Sequence, residues 1–104
     1  MSFNERLAAL PPVDGVLRLE LSGPQGQVEI IENKPGSSGS VRVYAYLLAK
    51  YGMLDASAAE EGIQIYSEHV EDARINPGKH PNIDRLFHIV FTGGRWQIHV
   101  IQQP

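Results

Sequence analysis

The sequence predicts an α+β fold, a small three-stranded antiparallel sheet with helices packed on one face, in the order α-β-β-α-α-α-β. Three observations lead there. Two alternating segments, 16–22 and 27–32, flank the turn Gly23-Pro24-Gln25-Gly26 and read as a hairpin. A third alternating segment, 95–101, stands far along the chain. Between them apolar residues recur three and four apart, which is the period of helices. A chain of 104 residues is expected to be one domain, 1–104, with room for a single modest core.

Taken in order, Ser2 and Glu5 have the spacing of a capping box, and Phe3, Leu7 and Leu10 fall on one side of a short helix. Pro11-Pro12 stops it, because neither residue donates a helical hydrogen bond. In the first strand Leu17, Leu19 and Leu21 face one way and Arg18 and Glu20 the other. The second strand is expected to place Val28 and Ile30 on the inner face, leaving Glu29 to pair with Arg18 and Glu20 outside. The run 34–40, KPGSSGS, offers Ser38 or Ser40 as a helix N-cap. Gly-Ser loops also cradle phosphate, but this one lacks the Gly-Lys-Ser/Thr ending of a nucleotide-binding loop.

Val41, Tyr44, Leu48 and Tyr51 line one face of the next helix, with Leu47 beside them and Gly52 placed to close it. Tyr46 lies off that face and is the candidate for an exposed contact. The segment 55–75 reads as the longest helix, its stripe being Ala59, Ile63, Tyr66, Val70 and Ala73 and its start capped by Asp55 or Ser57. Glu60, Glu61, Glu68, Glu71 and Asp72 give it an acidic, solvated surface. Gly62 costs that helix about 1 kcal/mol against Ala unless a neighbour must come close there. After Pro77-Gly78, Pro81 suits a first helical turn, and Ile83, Leu86, Phe87 and Val90 supply an apolar face that Gly93 ends. A hairpin through 87–101 competes with that helix; the pattern's start at Ile83 favours the helix. In the last strand Trp96, Ile98 and Val100 point inward. The outer sheet face would carry Arg18, Glu20, Glu29, Gln97 and His99, polar and open unless a second subunit covers it.

Composition removes several functions. A net charge of −3 with nine Lys and Arg argues against a nucleic-acid binder, which neutralises many phosphates. With no cysteine there is no disulfide framework, thiolate zinc site, iron–sulfur cluster or cysteine nucleophile. The N-terminus has no signal-peptide pattern and no run is long enough to cross a bilayer, so the expectation is a soluble cytoplasmic protein without a membrane role.

Chemistry concentrates in 76–88. His80, Asp84 and His88 are spaced four and four, and with His69 they form a candidate metal set, although no H-E-x-x-H motif is present. A helix beginning at Pro81 would favour an anion at its N-terminus, with Lys79, His80, Asp84 and Arg85 as candidate ligand-binding residues. Against this stands a plainer role, in which Asp84 and Arg85 anchor the loop by caps and ion pairs. General acid–base chemistry would need His80 beside Asp84 or Asp72 in a pocket. No Gly-x-Ser-x-Gly nucleophile setting occurs, no catalytic residue is assigned, no cofactor is implied, and the reading leans away from an enzyme.

Three strings, Ser40-Val41-Arg42-Val43-Tyr44, Glu61-Gly62-Ile63 with Glu68-His69, and Asn76-Pro77-Gly78-Lys79-His80-Pro81-Asn82-Ile83-Asp84-Arg85-Leu86, carry a likeness. They resemble a family of small proteobacterial proteins of about this length, catalogued as a domain of unknown function. The likeness spans nearly the whole chain. It transfers no activity and implies a bacterial, cytoplasmic, stand-alone domain. The functional expectation is an accessory or interaction domain that works through binding, as a homodimer or with a protein partner. The alternative is a metal- or anion-dependent ligand-binding protein or enzyme centred on 76–88.

Overall fold

Strand β1 (Val16–Ser22) is the middle of the sheet, with β2 (Val28–Glu32) on one edge and β3 (Gln97–Gln102) on the other, both antiparallel. The computed structural model describes residues 1–104. Five helices complete the order: α1 (Phe3–Ala8), α2 (Ser38–Tyr51), α3 (Ala56–Tyr66), α4 (His69–Ile75) and α5 (Pro81–Thr92). The α+β class and its order are as expected, with one expected helix present as two. The segment from Ile83 is helical rather than a hairpin, opened by Pro81 in the first turn and closed by Gly93 at φ 72°.

The register sets the faces of the sheet. Leu19 lies opposite Ile31, and Leu21 opposite Glu29 on one side and Ile98 on the other. Leu19, Leu21, Ile31 and Ile98 are buried. Because side chains alternate along a strand, a parity change of one residue moves every side chain to the other face. That change corrects the expectation for β2: Val28 and Ile30 are 71% and 53% exposed, and Ile31 enters the core. Glu29 consequently sits on the helix side and does not pair with Arg18 and Glu20, which pair with each other at 2.8 Å. A register shift between Val16 and Arg18 likewise turns Leu17 out of the core and Val16 in.

Ser2 and Glu5 form the expected capping box on α1. Asp55, not Ser57, caps α3 by accepting from the Ala58 N–H. Neither Ser38 nor Ser40 caps α2: the position falls to Ser37, whose hydroxyl donates instead to the Glu32 carbonyl at 2.5 Å. The expected helix over 55–75 breaks at Ser67, which takes φ 52° and ψ −117°. Its single hydroxyl proton is shared between the carbonyls of Gln64 and Ile65, both at 3.1 Å, offering the chain a local alternative to helical bonding.

Helices α2, α3 and α5 close over one core of twenty buried residues, with Tyr44, Leu47, Leu54, Leu86 and Ile89 at its centre. Within the predicted faces, Val43 is buried while Leu48 and Tyr51 are only partly so, and Ala58 and Ile65 replace Ile63. At Gly62 α3 lies close against its neighbours. A Cβ there would meet Leu86 Cδ1 at 2.8 Å and Leu47 Cδ1 at 3.0 Å, so the missing side chain lets the helices approach. Beside it, Glu61 accepts from the Tyr46 and Tyr51 hydroxyls, each at 2.6 Å, and from Lys50 at 2.7 Å. Tyr46 is therefore spent on a clamp between α2 and α3 and is not free for an exposed contact. Backbone bonds between Leu54 and Trp96, 2.9 Å in each direction, pin the α2–α3 link to the approach of β3.

Candidate functional site

Helix α2 starts within the Gly-Ser run, α5 starts after the loop 76–80, and the two starts meet across a cavity of about 360 Å³. Ser37, just before α2, and Ser40 in its first turn line one side, His80 and Asn82 line it from the start of α5, His69 from α4, and Lys79 from the loop. Phe3 of α1 and the buried Tyr66 of α3 complete its apolar side. The first-turn N–H groups of Ser40 and Asn82 make no hydrogen bond within the protein, as expected at helix starts.

The break at Ser67 shapes one wall, because it separates Tyr66 from His69 and sets α4 off as its own element. Phe3 then stacks on Tyr66, centroids 5.3 Å apart and planes at 13°, and meets His69 edge-on at 5.1 Å. His69 and His80 follow at 6.0 Å. Tyr66 shares a 2.6 Å hydrogen bond with Ser40, and burial pushes its hydroxyl far above the ordinary range, so it stays neutral.

Behind the cationic side lies Asp72. Its Oδ2 is 2.7 Å from His80 Nε2 and 2.9 Å from Lys79 Nζ, and its Oδ1 accepts from Asn76 at 2.9 Å. The hydrogen bond from His80, then that from Lys79, hold the carboxyl down at about 2. An ionised carboxylate only accepts, so His80 carries its proton on Nε2, and in the neutral ring Nδ1 keeps the lone pair. Chemically the group can accept a proton at Nδ1 or, once charged, donate one there to an anion.

The structure separates the residues that the sequence grouped. Lys79, His80 and His69 share the cavity. Asp84 accepts from the Gly78 N–H at 2.9 Å and closes the loop. Arg85 is buried and faces elsewhere, ion-paired with Glu29 and donating to the Tyr44 hydroxyl and Asn82 Oδ1, both at 2.9 Å. Its guanidinium lies over the Tyr44 and Trp96 rings at 5.4 and 5.9 Å. Burial opposes its charge, but the Tyr44 and Glu29 contacts outweigh it and raise its pKa. His88 is exposed, in a separate groove with Glu29 and Trp96. The four candidate metal ligands thus do not assemble: no group of three or more His, Asp or Glu side chains is placed to hold one ion.

Sequence reasoning missed Phe3, Ser37, Ser40, Tyr66 and Asn82. The Gly-Ser run was the one signal available, and nothing linear joins it to the loop forty residues on.

The model of a bacterial family, described as an uncharacterized protein conserved in bacteria (DUF2322), matches residues 3–100. The chain belongs to this family. Membership extends from α1 to β3 and so takes in every wall of the cavity. No curated protein and no solved structure matches the chain. No helix is long and apolar enough to cross a membrane.

Proposed function

We propose that this protein binds a small anion of the phosphate type in the cavity between the starts of α2 and α5. One observation carries the reading. In a chain with twelve acidic and nine Lys or Arg residues, the cavity is lined by Lys79, His69 and His80 and by no carboxylate. The unbonded N–H groups of Ser40 and Asn82 add donors of the kind that helix starts offer to anions. Asp72 supports the arrangement from behind by fixing Lys79 and His80.

Isothermal titration with inorganic phosphate at low ionic strength tests it. Saturable binding is expected, weakened about five- to tenfold by Lys79→Ala and by His80→Ala, the loss for one charge-assisted hydrogen bond that is partly solvated. Absence of both heat and thermal shift at tens of millimolar phosphate, well above the range such a pocket should reach, would sink the proposal.

A second reading, an interaction surface, is favoured by the outer sheet face, where Val28 and Ile30 are exposed and no helix covers them. Light scattering coupled to size exclusion addresses its homodimer form; a monomer at high concentration would remove it.

A further inference from the structure

Resting on the anion reading, we infer that the ligand is an aryl phosphate monoester, a flat apolar body carrying the anionic group, rather than inorganic phosphate itself. Three observations point beyond a bare ion. The cavity, about 360 Å³, falls within the range of pockets that enclose small organic ligands. Its lining is divided in character: Lys79, His80 and Ser40 are polar, whereas Phe3, Tyr66 and Ile83 are aromatic or aliphatic. A site for phosphate alone needs only the polar part.

The third observation is how Phe3 is held. Helix α1 has six residues and buries none of them fully; Phe3 and Leu7 pack half-buried against the core. Yet Phe3 is fixed by several contacts: its backbone N–H donates to Glu68 Oε1 at 2.8 Å, and its ring packs between Tyr66 and His69. The result is a ring half-buried on the cavity wall and held there by contacts within the protein. Preset aromatic walls recognise planar groups by offset stacking or edge contact, and do so at small entropic cost. His69, edge-on to Phe3 and 6.0 Å from His80, joins the aromatic part to the cationic part, so one ligand of modest size touches both.

The test compares phenyl phosphate with inorganic phosphate by titration calorimetry on the intact chain. Phenyl phosphate is expected to bind about tenfold tighter, the gain one aromatic contact brings. In Phe3→Ala that preference should fall below about threefold. Phe3→Leu, which keeps apolar bulk without a π face, should fall between them, and circular dichroism melts establish that both variants fold. Equal affinity of the native chain for the two ligands would overturn the aryl inference and leave the anion reading standing. A preference untouched by Phe3→Ala in a folded variant would overturn it too. If neither compound binds, both fall.

Discussion

Arg85 is the only charged residue the core encloses, and its neighbours explain why it is tolerated. Glu29 neutralises it, Tyr44 and Asn82 accept from it, and two aromatic rings flank the guanidinium. Removing the cation leaves a cavity and an unpaired Glu29, though that carboxylate is 45% exposed and regains water. Arg85→Ala should therefore destabilise by about 3 kcal/mol, at the lower end for a broken buried pair, as read from urea unfolding. Arg85→Met, which refills the volume, should recover roughly half of that loss. The sequence offered Arg85 either as an anion-binding residue or as a loop anchor through ion pairs. Its assignment depended on the face Glu29 takes, and alternation alone placed Glu29 on the wrong side. The pattern Val28-Glu29-Ile30-Ile31 allows either parity; the partner strand decides it.

At the scale of elements the informative one is the junction of α3 and α4. Periodicity carries straight through Ser67, since Tyr66, Val70 and Ala73 are all buried, and so the break was invisible to a spacing argument. What ends α3 is a serine in backbone space that suits glycine, held there by a hydroxyl proton shared between two carbonyls. Strain and this shared hydrogen bond oppose each other, about 1–3 kcal/mol against about 1 kcal/mol. Ser67→Gly relieves the first and loses the second, so it should be close to neutral. Ser67→Ala keeps the strain and loses the hydrogen bond, and should melt as a protein about 1–2 kcal/mol less stable than Ser67→Gly. Equal stabilities for the two would show that φ at this position is unimportant. Other helix boundaries were legible because proline and glycine mark them chemically: Pro81 at the start of α5, Gly52 and Gly93 at the ends of α2 and α5.

For the molecule as a whole, two carboxylates tie helices to their surroundings and both titrate low. Burial opposes the charge on Glu61, but hydrogen bonds from Lys50, Tyr46 and Tyr51 outweigh it and hold the carboxyl at about 2; Asp72 is also at about 2. Their ordinary values are 4.5 and 3.8, so in each case the folded value is the lower one. The stability they contribute is thus fully present above the unfolded values and is lost as pH falls through the folded ones. Thermal midpoints should hold steady down to about pH 5 and drop between there and about pH 2, and Glu61→Gln should shallow that drop. The α+β class and the order of elements were readable from periods of two and of three to four, but the cavity was not. It joins Phe3 to residues within 36–40, 66–69 and 79–83, which only the finished fold brings together. The placing of β1 has a further consequence, in the time domain. Ser22 pairs with Gln97, 75 positions later, whereas its partner across the hairpin, Val28, follows within a few residues. At about 5–20 residues per second of synthesis, one edge of β1 waits roughly 4–15 s for its second neighbour. During that interval the nascent chain presents the backbone groups of a central, apolar strand to whatever else is nearby, and the period from hairpin to final strand is when it is most open to mispairing.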